Sequence, residues 1–187
     1  LSKECGFFSC KERLPNHAEK RGFAERKLYL PQKHTDNERV KKYLLGRGIA
    51  GEIIEYCIAQ KLLYEESRYH NAVFIGYDGE NPKYAAIRGT NTKRRFLAEA
   101  GGSNKAFCFC LCKGKDKLNV FESAIDAMSY ASMVLEGGED LTQQTYLSLG
   151  GVYKNNQNRL PIALEKYLSG HGKPQEIILR LDRDEVG

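Results

Sequence analysis

Leu118-Asn119-Val120-Phe121-Glu122-Ser123-Ala124-Ile125-Asp126 is the stretch that decides the fold. A short apolar run ends on an acid, and Ser123 opens a segment that carries helical periodicity as far as Val134. Working outward, Thr145-Tyr146-Leu147-Ser148-Leu149 reads as a strand and Leu160 to Leu168 as a helix. Glu176-Ile177-Ile178-Leu179-Arg180-Leu181 reads as a buried strand. Strands alternating with helices predict an α/β fold, with a Rossmann-like parallel sheet and flanking helices. Ligands of such sheets gather outside the carboxyl ends of the strands.

Acidic residues occupy those ends. Glu122 follows the first strand, and Asp126 lies one helical turn on. Asp182 and Asp184 follow the third, two residues apart and so on one face of an extended chain. A hard cation such as Mg²⁺ takes one or two carboxylates together with waters and substrate phosphates, so the pattern suits phosphoryl or nucleotidyl transfer. The plain alternative makes Glu122 and Asp126 first-turn acids favoured by the helix dipole, and Asp182 to Glu185 a solvated loop. A calcium loop matches Asp182, Asp184 and Gly187, but Val186 stands at a ligand position and a strand precedes where a helix is needed.

Upstream, three regions separate. Residues 1–34 are polar, interrupted by Pro15 and Pro31, and read as an arm that wraps the protein or belongs to an upstream unit; no chemistry is placed there. Residues 35–115 form a small α+β lobe. Thr35 or Asp36 caps a helix carrying Val40, Tyr43 and Leu44, Gly46 ends it, and Ile53, Ile54, Cys57 and Ile58 mark a second. Ala72 to Ile75 and Tyr84 to Ile87 then make an antiparallel hairpin around Asp78-Gly79-Glu80-Asn81-Pro82, with a third strand at Ala106 to Leu111. Residues 116–187 carry the alternating pattern.

Composition narrows the function. Twenty-nine basic against 24 acidic residues, net +5, permit nucleic acid but exclude a simple polycationic binder. No run of about 18 apolar residues occurs, which argues against a membrane span, and Leu1-Ser2-Lys3-Glu4 lacks an export signal, so a cytoplasmic protein is expected. Cys108, Cys110 and Cys112 alternate on one strand face as small hydrophobes, while Cys5, Cys10 and Cys57 lack paired zinc-ligand spacing, although the first two could end a metal site begun upstream. His34, His70 and His171 have no metal-pair spacing and read as surface or hydrogen-bonded histidines. Gly150-Gly151 reads as a tight turn, with a phosphate-approaching turn as the alternative. Tyr64, Tyr69, Phe74, Tyr77 and Tyr84 read as packing residues rather than base-stacking ones.

Two segments together resemble the Toprim domain of primases, topoisomerases and recombination proteins: Val120-Phe121-Glu122-Ser123-Ala124-Ile125-Asp126, where the family usually has Gly at Ser123, and Leu181-Asp182-Arg183-Asp184-Glu185-Val186-Gly187. The family continues beyond this point, so the domain at 116–187 is expected to be C-terminally incomplete. Before it, Tyr43 to Ile49, Glu52-Ile53-Ile54, Asn71 to Phe74, Tyr84 to Gly89 and Gly102 to Lys105 resemble the subdomain preceding Toprim in bacterial DNA primase and in the primase-like proteins of bacterial mobile elements.

The resemblance implies Glu122, Asp182 and Asp184 as catalytic ligands of Mg²⁺ (or Mn²⁺), with Asp126 supporting the metal. It implies Arg88 and Lys105 as contacts to template and nucleotide; as plain sequence they equally read as solvated charges on a strand edge. The expected activity is primer synthesis on single-stranded DNA from nucleotides, alongside a helicase or relaxase. A nuclease using the same metals, and an inactive nucleic-acid-binding module, are the alternatives.

Overall fold

The computed structural model describes residues 27–114, 116–151, 160–171 and 173–182. Two helices come first, α1 (Glu38–Leu45) and α2 (Gly51–Ala59), burying Val40 and Leu44, and Ile53, Ile54 and Cys57. The cap of α1 differs from the one expected. Of the amides in this turn Asp36 accepts from that of Glu38 (3.2 Å), and the Arg39 and Val40 amides donate instead to Glu65 Oε2, at 3.0 Å each. A carboxylate from a distant strand thus satisfies the unpaired donors of the first turn.

Glu65 ends β1 (Leu63–Glu65), the edge of an antiparallel sheet whose order follows the chain: β1, β2 (Ala72–Asp78), β3 (Asn81–Arg88) and β4 (Leu97–Glu99). The expected hairpin is β2–β3, with Val73 opposite Ile87 and Ile75 opposite Ala85. Its strands run further than the sequence shows, to the pair Asp78 and Asn81, leaving Gly79-Glu80 as the turn. Tyr64, Phe74 and Tyr84 are buried in this lobe, whereas Tyr69 is exposed.

The second sheet holds β5 (Cys110–Leu111), β6 (Lys117–Phe121), β7 (Gln144–Ser148) and β8 (Glu176–Arg180) in the order β5-β7-β6-β8. Strands β7, β6 and β8 are parallel, and β5 is antiparallel to β7. From β6 to β7 the chain moves one way across the sheet, and from β7 to β8 it moves back. Right-handed crossovers therefore put their helices on opposite faces. Accordingly α3 (Ala124–Glu136) joins the cluster containing Phe121, Tyr146 and α2, while α4 (Ile162–Gly170) joins the one containing Leu118, Val120, Leu147 and Tyr84.

The strand expected at Ala106 to Leu111 shrinks to two residues. Lys105–Phe107 forms a 3₁₀ turn, and Cys112 takes a φ of +54°, which breaks the alternation. Cys108 and Cys110 face the α4 cluster, and Cys112 packs on the opposite one, so the three thiols do not share a face. Cys5 and Cys10 lie outside the described residues. Phe74 of the first sheet meets Phe109 edge-on (5.9 Å between centroids), inside one cluster that runs from α1 through both sheets to α3. Among the described residues no helix is long and apolar enough to cross a membrane.

Candidate active site at the carboxyl ends of the parallel strands

The three parallel strands end beside one another, and the residues just past each end line a cleft of about 530 Å³. Glu122 comes directly after β6, Gly150 and Gly151 shortly after β7, and Asp182 shortly after β8. Glu122 is held at both ends. Its carbonyl accepts from the Gly151 amide (2.8 Å), and its Oε1 accepts from the Asp182 amide (3.0 Å). Two acids sixty positions apart are thereby tied together, with a backbone hydrogen bond fixing the carboxylate of the first at the root of the second.

Asp126 lines the same cleft, but its Oδ2 accepts from the backbone and hydroxyl of Ser123 (3.2 and 2.6 Å), closing a capping box at the start of α3. The small residue standing where the Toprim pattern has Gly is thus the N-cap of the helix. Asp184 lies outside the described residues.

The opposite wall comes from the antiparallel sheet and the loop after α1. Arg88 at the end of β3 and Arg47 and Arg95 in loops line the cleft with Glu99. Arg88 Nε donates to Tyr43 Oη at 3.4 Å, and the Arg47 guanidinium lies over the Tyr43 ring, 5.8 Å from its centroid. Lys105 sits at the rim, its Nζ 2.8 Å from Glu99 Oε1 and 3.3 Å from the Gly150 carbonyl.

The primase resemblance points to Arg88 and Lys105 but not to Arg47 or Arg95. These two stand in Gly46-Arg47-Gly48 and Lys93-Arg94-Arg95, where nothing distinguishes them from ordinary solvated charges.

Beneath Gly150 lie Tyr84 and Cys108, both buried. Gly150 has a φ of +66°, and a Cβ there would come within 2.6 Å of Tyr84 Oη and 3.0 Å of Cys108 Sγ, so only glycine lets the chain turn over this floor. Burial pushes the Cys108 thiol up to about 12 against the opposing pull of Lys105. Burial likewise raises the Tyr84 hydroxyl, with Cys108 and Glu99 beside it adding to the effect. Both groups hold their protons at neutral pH, and Tyr84 lines the cleft as a neutral hydroxyl donating to Glu99 Oε1 at 3.2 Å.

The clustered donors suit a hard cation: carboxylate oxygens, open to water on one side, beside arginines that match phosphate. Residues 119–187 match the family model described as Toprim-like, and residues 42–116 match one described as a protein of unknown function, DUF3991. No curated protein and no solved structure matches the chain. The chain therefore carries a Toprim-like domain beside a DUF3991 region, and the Toprim assignment implies a metal-dependent role in nucleic-acid processing.

Outside the cleft, sequence reading missed one grouping. His34, Glu65 and His70 converge, although spacings of 31 and 5 residues give no sign of it. His171, by contrast, stacks on Tyr167 at 4.6 Å.

Proposed function

We propose that the protein performs Mg²⁺-dependent (or Mn²⁺-dependent) nucleotidyl or phosphoryl transfer on DNA, in the form of primer synthesis during replication or transfer of a mobile element. The observation that carries this reading is the facing of acids and arginines across one cleft, with Glu122, Asp126 and Asp182 on one side and Arg47, Arg88 and Arg95 on the other. In this reading residues 116–187 supply the metal-binding wall and residues 35–115 the substrate-holding wall.

Glu122, Asp182 and Asp184 would hold the ion, supported by Asp126. Bound Mg²⁺ supplies Lewis-acid stabilisation of the charge that develops on the phosphoryl oxygens. The protein's own groups do the positioning. A single-stranded template and an incoming nucleotide bring negative charge that the carboxylates repel, and the arginines offset it with planar donors matched to phosphate oxygens. Lys105, already paired with Glu99, adds positive charge at the rim.

The test is incorporation of labelled nucleotide on a single-stranded template with Mg²⁺, comparing wild type with Glu122→Gln and Asp182→Asn. Glutamine keeps the oxygen that accepts from the Asp182 amide, so the fold is expected to stand while the charge is lost. Each variant is expected to lose about 100-fold or more in rate, at an unchanged melting temperature. Incorporation that survives both changes would overturn the site. Cleavage of the template without incorporation would assign a nuclease to the same residues, and binding with neither activity would leave a nucleic-acid-binding module.

A further inference from the structure

Away from the cleft, at the outer end of β1, three segments meet on Glu65, a carboxylate that is only 1 % exposed. We propose that His34, Glu65 and His70 form a binding site for a divalent cation of the zinc class. Their donor atoms all lie within 4.8 Å of one another, and none of the three residues lines the acidic cleft.

Each donor is held from its backbone. The His34 amide donates to the Glu65 carbonyl (2.8 Å), next to the bridge between Lys33 and Glu66. The Glu65 amide donates to Asn37 Oδ1 at 2.8 Å. Glu65 Oε2 is taken by the two α1 amides, which leaves Oε1 turned toward both imidazoles, 2.6 Å from His70 Nδ1 and 4.0 Å from His34 Nδ1.

His70 stands in the left-handed region, with a φ of +57°. Its amide donates to the Glu66 carbonyl (3.1 Å) and its carbonyl accepts from Thr90 Oγ1 (2.9 Å). Glu66 in turn accepts from the Arg68 and Tyr69 amides (2.8 and 3.0 Å) and from Asn71 Nδ2 (2.9 Å), so the turn is fixed independently of the imidazole. A non-glycine residue kept in this conformation is strained, and such strain gathers where a side chain must be aimed.

The donor set decides the class of ion. Two imidazole nitrogens with one carboxylate oxygen suit Zn²⁺ and its neighbours, whereas Mg²⁺ takes oxygens. A buried carboxylate is costly without a nearby positive charge; the α1 amides cover one oxygen, and a dication would cover the other.

Tetrahedral donors around zinc sit about 3.3 Å apart, given bonds of about 2.0–2.1 Å to nitrogen and oxygen. The widest separation therefore has to close by up to about 1.5 Å, while the 2.6 Å contact between Glu65 Oε1 and His70 Nδ1 has to open by about 0.7 Å. Both imidazoles are part-exposed (27 % and 36 %), which leaves room to move and a path for the ion. His34 Nδ1 now accepts from the Asp36 amide at 3.3 Å and would have to give up that bond, and Asp36 Oδ1, 3.5 Å away, or a water would complete the shell. Such an ion would pin the segment before α1 to β1 and to the turn beyond it.

The test uses the whole chain, stripped by chelator and titrated with Co²⁺ as a visible probe, with subsequent displacement by Zn²⁺ and thermal melts. A nitrogen–oxygen site gives d–d absorption without a thiolate-to-cobalt charge-transfer band, and Zn²⁺ is expected to raise the melting temperature. His34→Ala and His70→Ala are each expected to weaken binding by about 100-fold or more. His34→Ala is expected to melt where the stripped wild type does, which separates ligand loss from unfolding. Excess Mg²⁺, which takes oxygen ligands and so fills the acidic cleft, is expected to leave the Co²⁺ bands in place, so failure of the acidic cleft and failure of this site are distinguishable. A melting temperature that Zn²⁺ does not move, or d–d absorption that survives both histidine changes, would overturn the proposal and leave the cluster as a hydrogen-bonded cap on α1.

Discussion

The antiparallel sheet pairs β1 to β4 in chain order, so each strand's neighbour lies within a few tens of residues, whereas the second sheet seats β6 between β7 and β8, which are reached only through α3 and α4. The arginine wall of the cleft is therefore assembled from residues 47, 88 and 95, inside one local unit. The acidic wall needs two crossovers to bring Glu122 against Asp182. Positive charge is placed by turns and hairpins; negative charge is placed by parallel topology, which has to form completely before its ligands meet.

The largest expected effect tests whether the two sheets are separable at all. Phe109 is fully buried against Phe74 of the other sheet. Phe109→Ala is expected to cost about 3–5 kcal/mol in urea unfolding while keeping a single transition. Two resolved transitions would break the picture of a shared core.

Alkaline pH is expected to destabilise the fold through buried groups of both sheets. Burial raises the Cys108 and Cys110 thiols from 9.0 to about 12, and raises the Tyr64 hydroxyl of the first sheet from 10.0 to about 12. Each group binds its proton more tightly in the folded state. The stability this represents is present in full below about pH 9 and is lost as pH rises toward 12. Cys108→Ala is expected to flatten unfolding free energy against pH between 9 and 12; an unchanged slope would contradict the buried neutral thiol.

Smaller effects belong to the cleft walls. Arg88→Ala is expected to weaken single-stranded DNA binding several-fold for all sequences and to reduce the salt slope by about 0.7. Lys105→Ala is expected to do less, because its ammonium is already paired with Glu99 at 2.8 Å. Wild-type affinity and slope in Arg88→Ala at low salt would remove that arginine from the interface. The smallest change expected is at the start of α3, where Ser123→Ala should cost about 1 kcal/mol by removing the N-cap hydroxyl. A loss of metal affinity in that variant would show that Asp126, which the hydroxyl steadies, serves the ion as well as the helix.

The β-α-β-α-β succession was legible because its strands are short segments rich in apolar and β-branched residues and its helices keep a clear period, and Glu122 and Asp182 were legible as residues just past strand ends. Strands β1 and β4 were not, since three residues cannot display a period. The run Ala106 to Leu111 showed an extended segment but not its partner: β5 pairs with β7 rather than with the hairpin, a choice made by packing that the run itself does not encode. The His34–Glu65–His70 cluster was hidden for a related reason. It depends on the segment before α1 lying along β1, and a polar stretch next to Pro31 gives no sign of where it docks.

The matched regions 42–116 and 119–187 abut at a boundary that the hydrophobic core ignores, since one cluster holds Leu44, Ile54, Phe74 and Phe109 together with Phe121, Met128 and Tyr146. Heredity is constrained as a result. A Toprim-like half exchanged with that of a distant relative would arrive with side chains shaped for another partner, leaving voids and clashes along the seam. The two halves should then travel as one unit through recombination, and chimaeras joined between residues 116 and 119 should be rescued only when Phe74 and Phe109 are exchanged along with the half they touch.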